Sequence, residues 1–191
     1  MITIEGILSL LRLKPHPGEG GYFVETYRSN EFIPASILPG RYKGARSFAT
    51  AIYYLLTSDT FSAMHRLQTD EIFHFYSGYP VEMLQLWPDG SGTIITLGAD
   101  FLKGARPQVV VPRGVWQGAR LSTGGRFALL GTTVSPGFEW ADYEAGQRDS
   151  LTLSYPRFRD LIFSLTSPAV SNSAPKENAP KCRKDRVDRK K

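Results

Sequence analysis

The sequence predicts a single all-β domain, a sandwich or small barrel. Three observations carry this reading. Short runs rich in β-branched and aromatic residues recur at regular spacing between residues 47 and 136. Turn-forming residues bound them. No apolar stretch of about 10–12 residues in that region has a helical period. A chain of 191 residues has room for one domain with a real core and a tail.

The elements follow in order. "MITIEGILSLLRLKPHP" reads as a short amphipathic helix with Ile4, Ile7, Leu8 and Leu11 on one face, ended by the Pro15 and Pro17 pair. It is too short and mixed to span a membrane, and it lacks the basic start and cleavage site of a secretory signal. Strands are expected at 47–56, 71–78, 81–87, 92–98, 107–112, 115–122 and 126–136. Gly78–Tyr79–Pro80, Pro88–Asp89–Gly90, Pro112–Arg113–Gly114 and Gly124–Gly125 punctuate them. "WPDGSG" is a hairpin signal. A last helix is expected at "YPRFRDLIFSL", residues 155–165.

The net charge of +5 suggests a nucleic-acid partner until its location is read. Residues 176–191 hold eight Lys/Arg against three acids, which accounts for all of it. The domain, residues 1–165, is electrically balanced, so phosphate binding by a basic surface is not expected of it. Residues 166–191 are read as a disordered basic tail, because they have too little apolar surface to offset the entropy of ordering. Such a tail is most simply a solvated end; a nuclear address is the alternative. Cys182 is the single cysteine and lies in that tail. No intrachain disulfide can form, which favours a reducing compartment and hence the cytoplasm.

Two motifs stand on the strands. In "MHRLQTDEIFHFYSG", His65, Leu67, Glu71 and Gly78 fall where the first cupin motif places His, His, Glu and Gly. Asp59 replaces that motif's opening glycine. Pro112, Gly114 and Gln117 fall where the second cupin motif places Pro, Gly and His. The segments "LRLKPHPGEGGYFVETYRS", "FATAIYYLL", "HRLQTDEIFHFYSGYPVEML", "LGADFLKGARPQVVVPRGVWQGA" and "GTTVSPGFEWADYE" resemble the fifth cupin family, whose function is unknown, from about Ile7 to Glu144 and beyond. The resemblance implies a cupin double-stranded β-helix, a jelly-roll barrel, with short terminal helices. It also implies a homodimer, and a likeness to cupin-type sugar-nucleotide epimerases, which use a metal-free His base and a Tyr acid.

Metal-binding cupins that resemble oxygenases present three His and one Glu. Strand side chains alternate, so residue 67 shares a face with His65. Leu67 cannot coordinate a cation, and Gln117 is a poorer ligand than imidazole. A divalent metal, if bound, would rest on His65, Glu71 and Gln117; no cofactor is favoured. His74 could complete a shell only if a bulge turned it inward, and otherwise reads as a packing histidine. His16 reads as a loop residue.

The expected chemistry is therefore acid–base. His65 titrates near ~6.5 when unperturbed and would be the base. Glu71 would be its partner, Gln117 a substrate-orienting amide, and Tyr53 the acid, with Tyr22 next and Tyr54 behind. His74 and Tyr22 are also candidate substrate contacts. Tyr53 could equally fill the barrel wall. "GEGGYF" reads as a turn before an edge strand, with close glycine approach to a ligand as the alternative. Trp116 should face away from the pocket. Arg28, Arg46 and Arg66 could bind a carboxylate or phosphate, although Arg66 should point outward. The leading function is a metal-independent isomerase or epimerase acting on a small sugar-like or carbonyl compound. A non-catalytic small-molecule-binding module and a divalent-metal oxygenase with a degenerate shell are the alternatives.

Overall fold

The computed structural model describes residues 3–167. The basic stretch expected to form a disordered tail lies outside them, apart from its first residues. Thr166 is buried and its hydroxyl donates to the Ile162 carbonyl at 2.7 Å, so the packed domain extends at least that far.

The chain folds into two antiparallel sheets that close on a shared core. The first sheet takes β1 (Lys14–Pro15), β2 (Tyr22–Arg28), β5 (Thr50–Thr57), β12 (Phe127–Val134), β7 (Glu71–Gly78) and β10 (Gln108–Val111), in that spatial order. The second takes β13 (Tyr143–Ala145), β6 (Phe61–Leu67), β11 (Trp116–Leu121), β8 (Val81–Leu86) and β9 (Gly92–Leu97). A small ribbon pairs β3 (Phe32–Ile33) with β4 (Arg46–Ser47). The expected all-β double-stranded β-helix is what forms.

Alternation explains the layers. Tyr54 and Leu56 of β5, Phe73 of β7, Val81 and Met83 of β8, and Leu130 of β12 meet between the sheets. The opposite faces are covered by helices. Leu55 turns outward beneath α1 (Ile4–Leu11), against Ile7 and Leu13. Leu84 and Leu86 turn outward beneath α2 (Arg148–Ser154) and α3 (Arg159–Ser164), against Leu151, Ile162 and Leu165. This two-sided burial matches the unbroken apolar run from Ala51 to Leu56 in β5.

Two local expectations are corrected. The first helix ends at Arg12, which adopts a left-handed conformation (φ 56°) and donates its N–H to the Leu8 and Ser9 carbonyls. That cap stops the helix before the prolines are reached. The helix expected at 155–165 is a 3₁₀ turn at Pro156–Phe158 followed by α3, and α2 precedes it unanticipated. No helix among the described residues is long and apolar enough to cross a membrane.

Candidate functional site

A bulge sets the phase of the site. Gln117 of β11 stands opposite His65 of β6, but Ala119 stands opposite Ser62, so Ala63 and Met64 of β6 together face Gly118 of β11. The extra residue turns Ser62 and His65 to one side and Phe61 and Met64 to the other, where both join the helix-covered cluster. The bulge's backbone groups are all used. Ala63 N–H donates to the Glu19 carbonyl at 2.8 Å, and Met64 N–H donates to the Leu165 carbonyl at 2.8 Å. The Ala63 carbonyl accepts from His65 Nδ1 at 2.8 Å. His65 is thereby fixed with its Nε2 toward the barrel interior.

His65, Glu71 and Gln117 do come together, as their motif positions imply, and all three are buried. Gln117 Nε2 donates to Glu71 Oε2 at 2.6 Å and lies 3.2 Å from His65 Nε2. Gln117 Oε1 is buried and has no partner among the described residues. Two carboxylates approach the His65 ring, Glu19 at 3.6 Å and Glu71 at 3.9 Å. Burial works against a charge on this ring. Glu19, then Glu71 and the Ala63 carbonyl outweigh it and raise His65 to about 9. Tyr143 of β13 stacks on the imidazole, with ring centroids 5.3 Å apart.

A second histidine–glutamate pair faces the first. His16 lies between two prolines in the turn before β2. Gly20 (φ 86°) and Gly21 (φ 67°) give that turn its shape. A Cβ at either would press on the Phe61 or Leu55 carbonyl, so only glycine fits there. His16 Nδ1 accepts the Glu19 N–H at 2.9 Å and lies 3.4 Å from the Gly18 N–H. The neutral ring therefore carries its proton on Nε2, which lies 3.8 Å from Glu19 Oε1. Burial lowers the His16 pKa, and the Glu19 charge opposes that only in part.

These groups border a cavity of about 130 Å³ between β2, β5, β7 and β12. His16, Glu19, Phe23, Tyr54 and Glu71 line its inner part; Arg28, Glu139 and Trp140 are also among its lining residues. His65 and Gln117 stand behind that wall rather than in it. Leu67 also lines the cavity, where a second imidazole would stand in a metal-binding cupin.

Several expected site residues lie elsewhere. Tyr53 points away from the cavity, under α1, and packs edge-on to Tyr76 at 5.9 Å. Its neighbour Tyr54 points in, with its hydroxyl donating to the Gly20 carbonyl at 2.8 Å. Tyr22 pairs with Leu55 and shares that outward face, so Phe23 and Glu25 line the cavity instead. His74 stays on the outer face, 3.3 Å from the Thr133 hydroxyl and stacked on Tyr76. The bulge in β7 falls at Tyr76, past His74, so it does not turn that ring inward. Arg46 is spent inside the fold, gripping buried Asp142 through two nitrogens at 2.8 and 2.6 Å. Arg66 points outward to Glu144, and its guanidinium covers Trp116 at 4.4 Å. His16 and Glu19 carry half of the site. "PHPGEGG" was their signal, but only the contact of Glu19 with the β6 bulge brings them in.

The donor set does not fit a metal ion. Leu67 supplies no donor, and Gln117 turns its amide nitrogen, which has no lone pair to give, toward His65 and Glu71. Among the described residues no three His, Cys, Asp or Glu side chains are placed to share a metal.

Comparison with known proteins decides the family. The family model for Cupin_5, described as the cupin superfamily domain DUF985, matches residues 5–146. The chain belongs to the Cupin_5 family. A curated relative, the uncharacterized protein YML079W of Saccharomyces cerevisiae, is 31% identical over 133 residues. That match covers 65% of this chain and 66% of the yeast protein, just under two thirds of its length. The crystal structure of protein SO0799 from Shewanella oneidensis is 32% identical, with a TM-score of 0.77 over 88% of this chain and 100% of that one. A hypothetical protein from Leishmania major is 27% identical, with a TM-score of 0.78 over 87% of this chain and 100% of that one.

Proposed function

We propose that this Cupin_5 chain is a metal-independent acid–base enzyme, an isomerase or epimerase acting on a small carbonyl compound. The observation that carries it is the pairing, in one cavity wall, of a carboxylate with a neutral imidazole donor. Glu71 lines the cavity with one oxygen held by Gln117, which leaves Oε1 to take a proton from carbon beside a carbonyl. The electron pair of the broken C–H bond moves to the carbonyl oxygen, forming an enolate. His16 Nε2–H hydrogen-bonds that oxygen, because its Nδ1 is committed as an acceptor. Epimerisation follows when Glu71 gives its proton up to solvent and a water delivers one to the opposite face of the same carbon. Isomerisation follows when Glu71 returns its proton to the neighbouring carbon of a 2-hydroxy substrate's enediolate while the hydroxyl proton passes to the former carbonyl oxygen. His65 is a positioning residue behind the wall. Its ring lies between Glu19 and Glu71, whose charges favour the imidazolium, and that positive charge faces the Glu71 carboxylate.

The test is solvent exchange. The protein in deuterium oxide is incubated with small aldoses, ketoses and 2-oxo compounds, and carbon-bound deuterium is followed by NMR. Incorporation that Glu71→Gln abolishes and His16→Gln slows by about 10²–10⁴-fold is expected. An absence of exchange across the set, with the protein folded, would overturn the reading. It would favour a non-catalytic binding module, which the burial of His65 behind the wall also fits.

A further inference from the structure

The cavity is divided between π-faces and carboxylates, and it has almost no positive charge of its own. His16 packs against Phe23 at 4.6 Å and Trp140 at 5.8 Å, and Phe138 meets Trp140 edge-on at 5.3 Å. These four rings all line the cavity. Glu19, Glu25, Glu71 and Glu139 line it too, and Arg28 is the one Lys or Arg among the lining residues. Arg28 is already held by Glu25 and Glu139, each at 2.8 Å. Behind Glu71, the buried Gln117 Oε1 is an acceptor without a donor among the described residues. The proton on His65 offsets one carboxylate, and the cavity still carries an excess of negative charge.

We infer that the ligand of this cavity carries an organic cation, a protonated amine or a quaternary ammonium group. Aromatic faces attract such a cation through their quadrupole, and more strongly when water is excluded. The carboxylates add a field of the same sign. A phosphate or nucleotide would enter against that field. A metal ion would find, among the described residues, no three of these carboxylate or imidazole groups placed to share it. The inference rests on the acid–base reading only in taking this cavity as the ligand site, and it narrows the substrate to a compact carbonyl compound bearing an amino group.

Isothermal titration calorimetry on the full chain tests it. The probes are ethylammonium chloride, choline chloride, 3,3-dimethyl-1-butanol as the uncharged isostere of choline, and sodium propionate, all at fixed ionic strength. At least one of the two cations should bind saturably. Choline, if it enters, should bind about tenfold more tightly than the isostere, and propionate should not bind. Trp140→Leu should weaken the better cation about tenfold with little change in melting temperature, since Trp140 is 37% exposed. In the intact protein, the same cation should shift the Trp140 indole N–H resonance, which needs no variant. Failure of both cations to bind up to about 10 mM would overturn the inference. So would equal binding of choline and its isostere, or preferential binding of propionate. Deuterium exchange with uncharged sugars but no cation binding removes this inference alone. Cation binding without exchange on any carbonyl compound, amino-bearing ones included, removes the catalytic reading alone.

Discussion

His65 Nε2 and Glu71 Oε2 are 3.9 Å apart, and the Gln117 amide nitrogen from the neighbouring strand stands 3.2 Å from the first and 2.6 Å from the second. The two residues that motif position pairs are thus coupled through a third. Replacing Gln117 by leucine keeps the volume but strips Glu71 Oε2 of its donor. Gln117→Leu should lower stability by about 1–3 kcal/mol, the cost of a buried acceptor left unsatisfied. Urea denaturation at neutral pH measures it. An unchanged midpoint would mean that water reaches Glu71 as easily as the amide does.

Stability should depend on pH through the two inward histidines, with opposite signs. His65 titrates near ~6.5 when unfolded and at about 9 in the fold. The folded state therefore holds that proton more tightly. The contribution is fully present below about 6.5 and is lost as pH rises through about 9. His16 has a lowered pKa in the fold. Its contribution is present above the unfolded value and is lost as pH falls through the folded one. Denaturation midpoints should decline from pH 7 to 9.5, and Glu19→Gln should flatten that decline by removing the main charge that favours the His65 imidazolium. A midpoint that rises over that range would contradict the assignment.

The tautomers can be read directly. Nitrogen-15 NMR of the histidine rings at neutral pH should show His16 protonated on Nε2 alone and His65 protonated on both nitrogens. A His16 proton on Nδ1 would remove it as the donor to a substrate oxygen.

The Arg46–Asp142 pair gives a prediction about architecture. Both side chains are 3% exposed, and the pair joins β4 to the turn at Trp140–Asp142. Asp142→Asn leaves a buried guanidinium without its counter-charge. It should cost about 3–5 kcal/mol by thermal or chemical denaturation. It should also disturb Tyr143, the next residue, and with it the ring stacked on His65. Paired replacement by methionine and leucine should recover most of the stability, because an apolar pair of similar volume needs no desolvation of charge.

The barrel was legible in local signals, and the three-residue centre in the resemblance of two separate segments to the cupin motifs. Alternating side chains and turn residues mark β7 through β12. The gap between His65 and Glu71 marks the first motif. What escaped was phase and long-range contact. Tyr53 and Tyr54 are adjacent, and only the docking of α1 decides which of them faces outward. Tyr22 follows the same phase across the ladder, paired with Leu55. His74 required the position of a bulge, which lies at Tyr76. His16 and Glu19 are some fifty residues from His65, and the contact that brings them in runs through a backbone N–H at Ala63. No periodicity in the chain encodes that contact.

The division of the site between ladder and turn bears on how this barrel could change its chemistry. His65, Glu71 and Gln117 are locked by strand pairing, and moving any of them disturbs a sheet. His16 and Glu19 sit on one six-residue turn outside the ladder. That turn behaves as an exchangeable cassette: a relative could rewrite the cavity-facing donor and one carboxylate there while inheriting the barrel unaltered. Two chains with superimposable strands can then differ in reaction, and their divergence would be read in residues 16–21 before anywhere else.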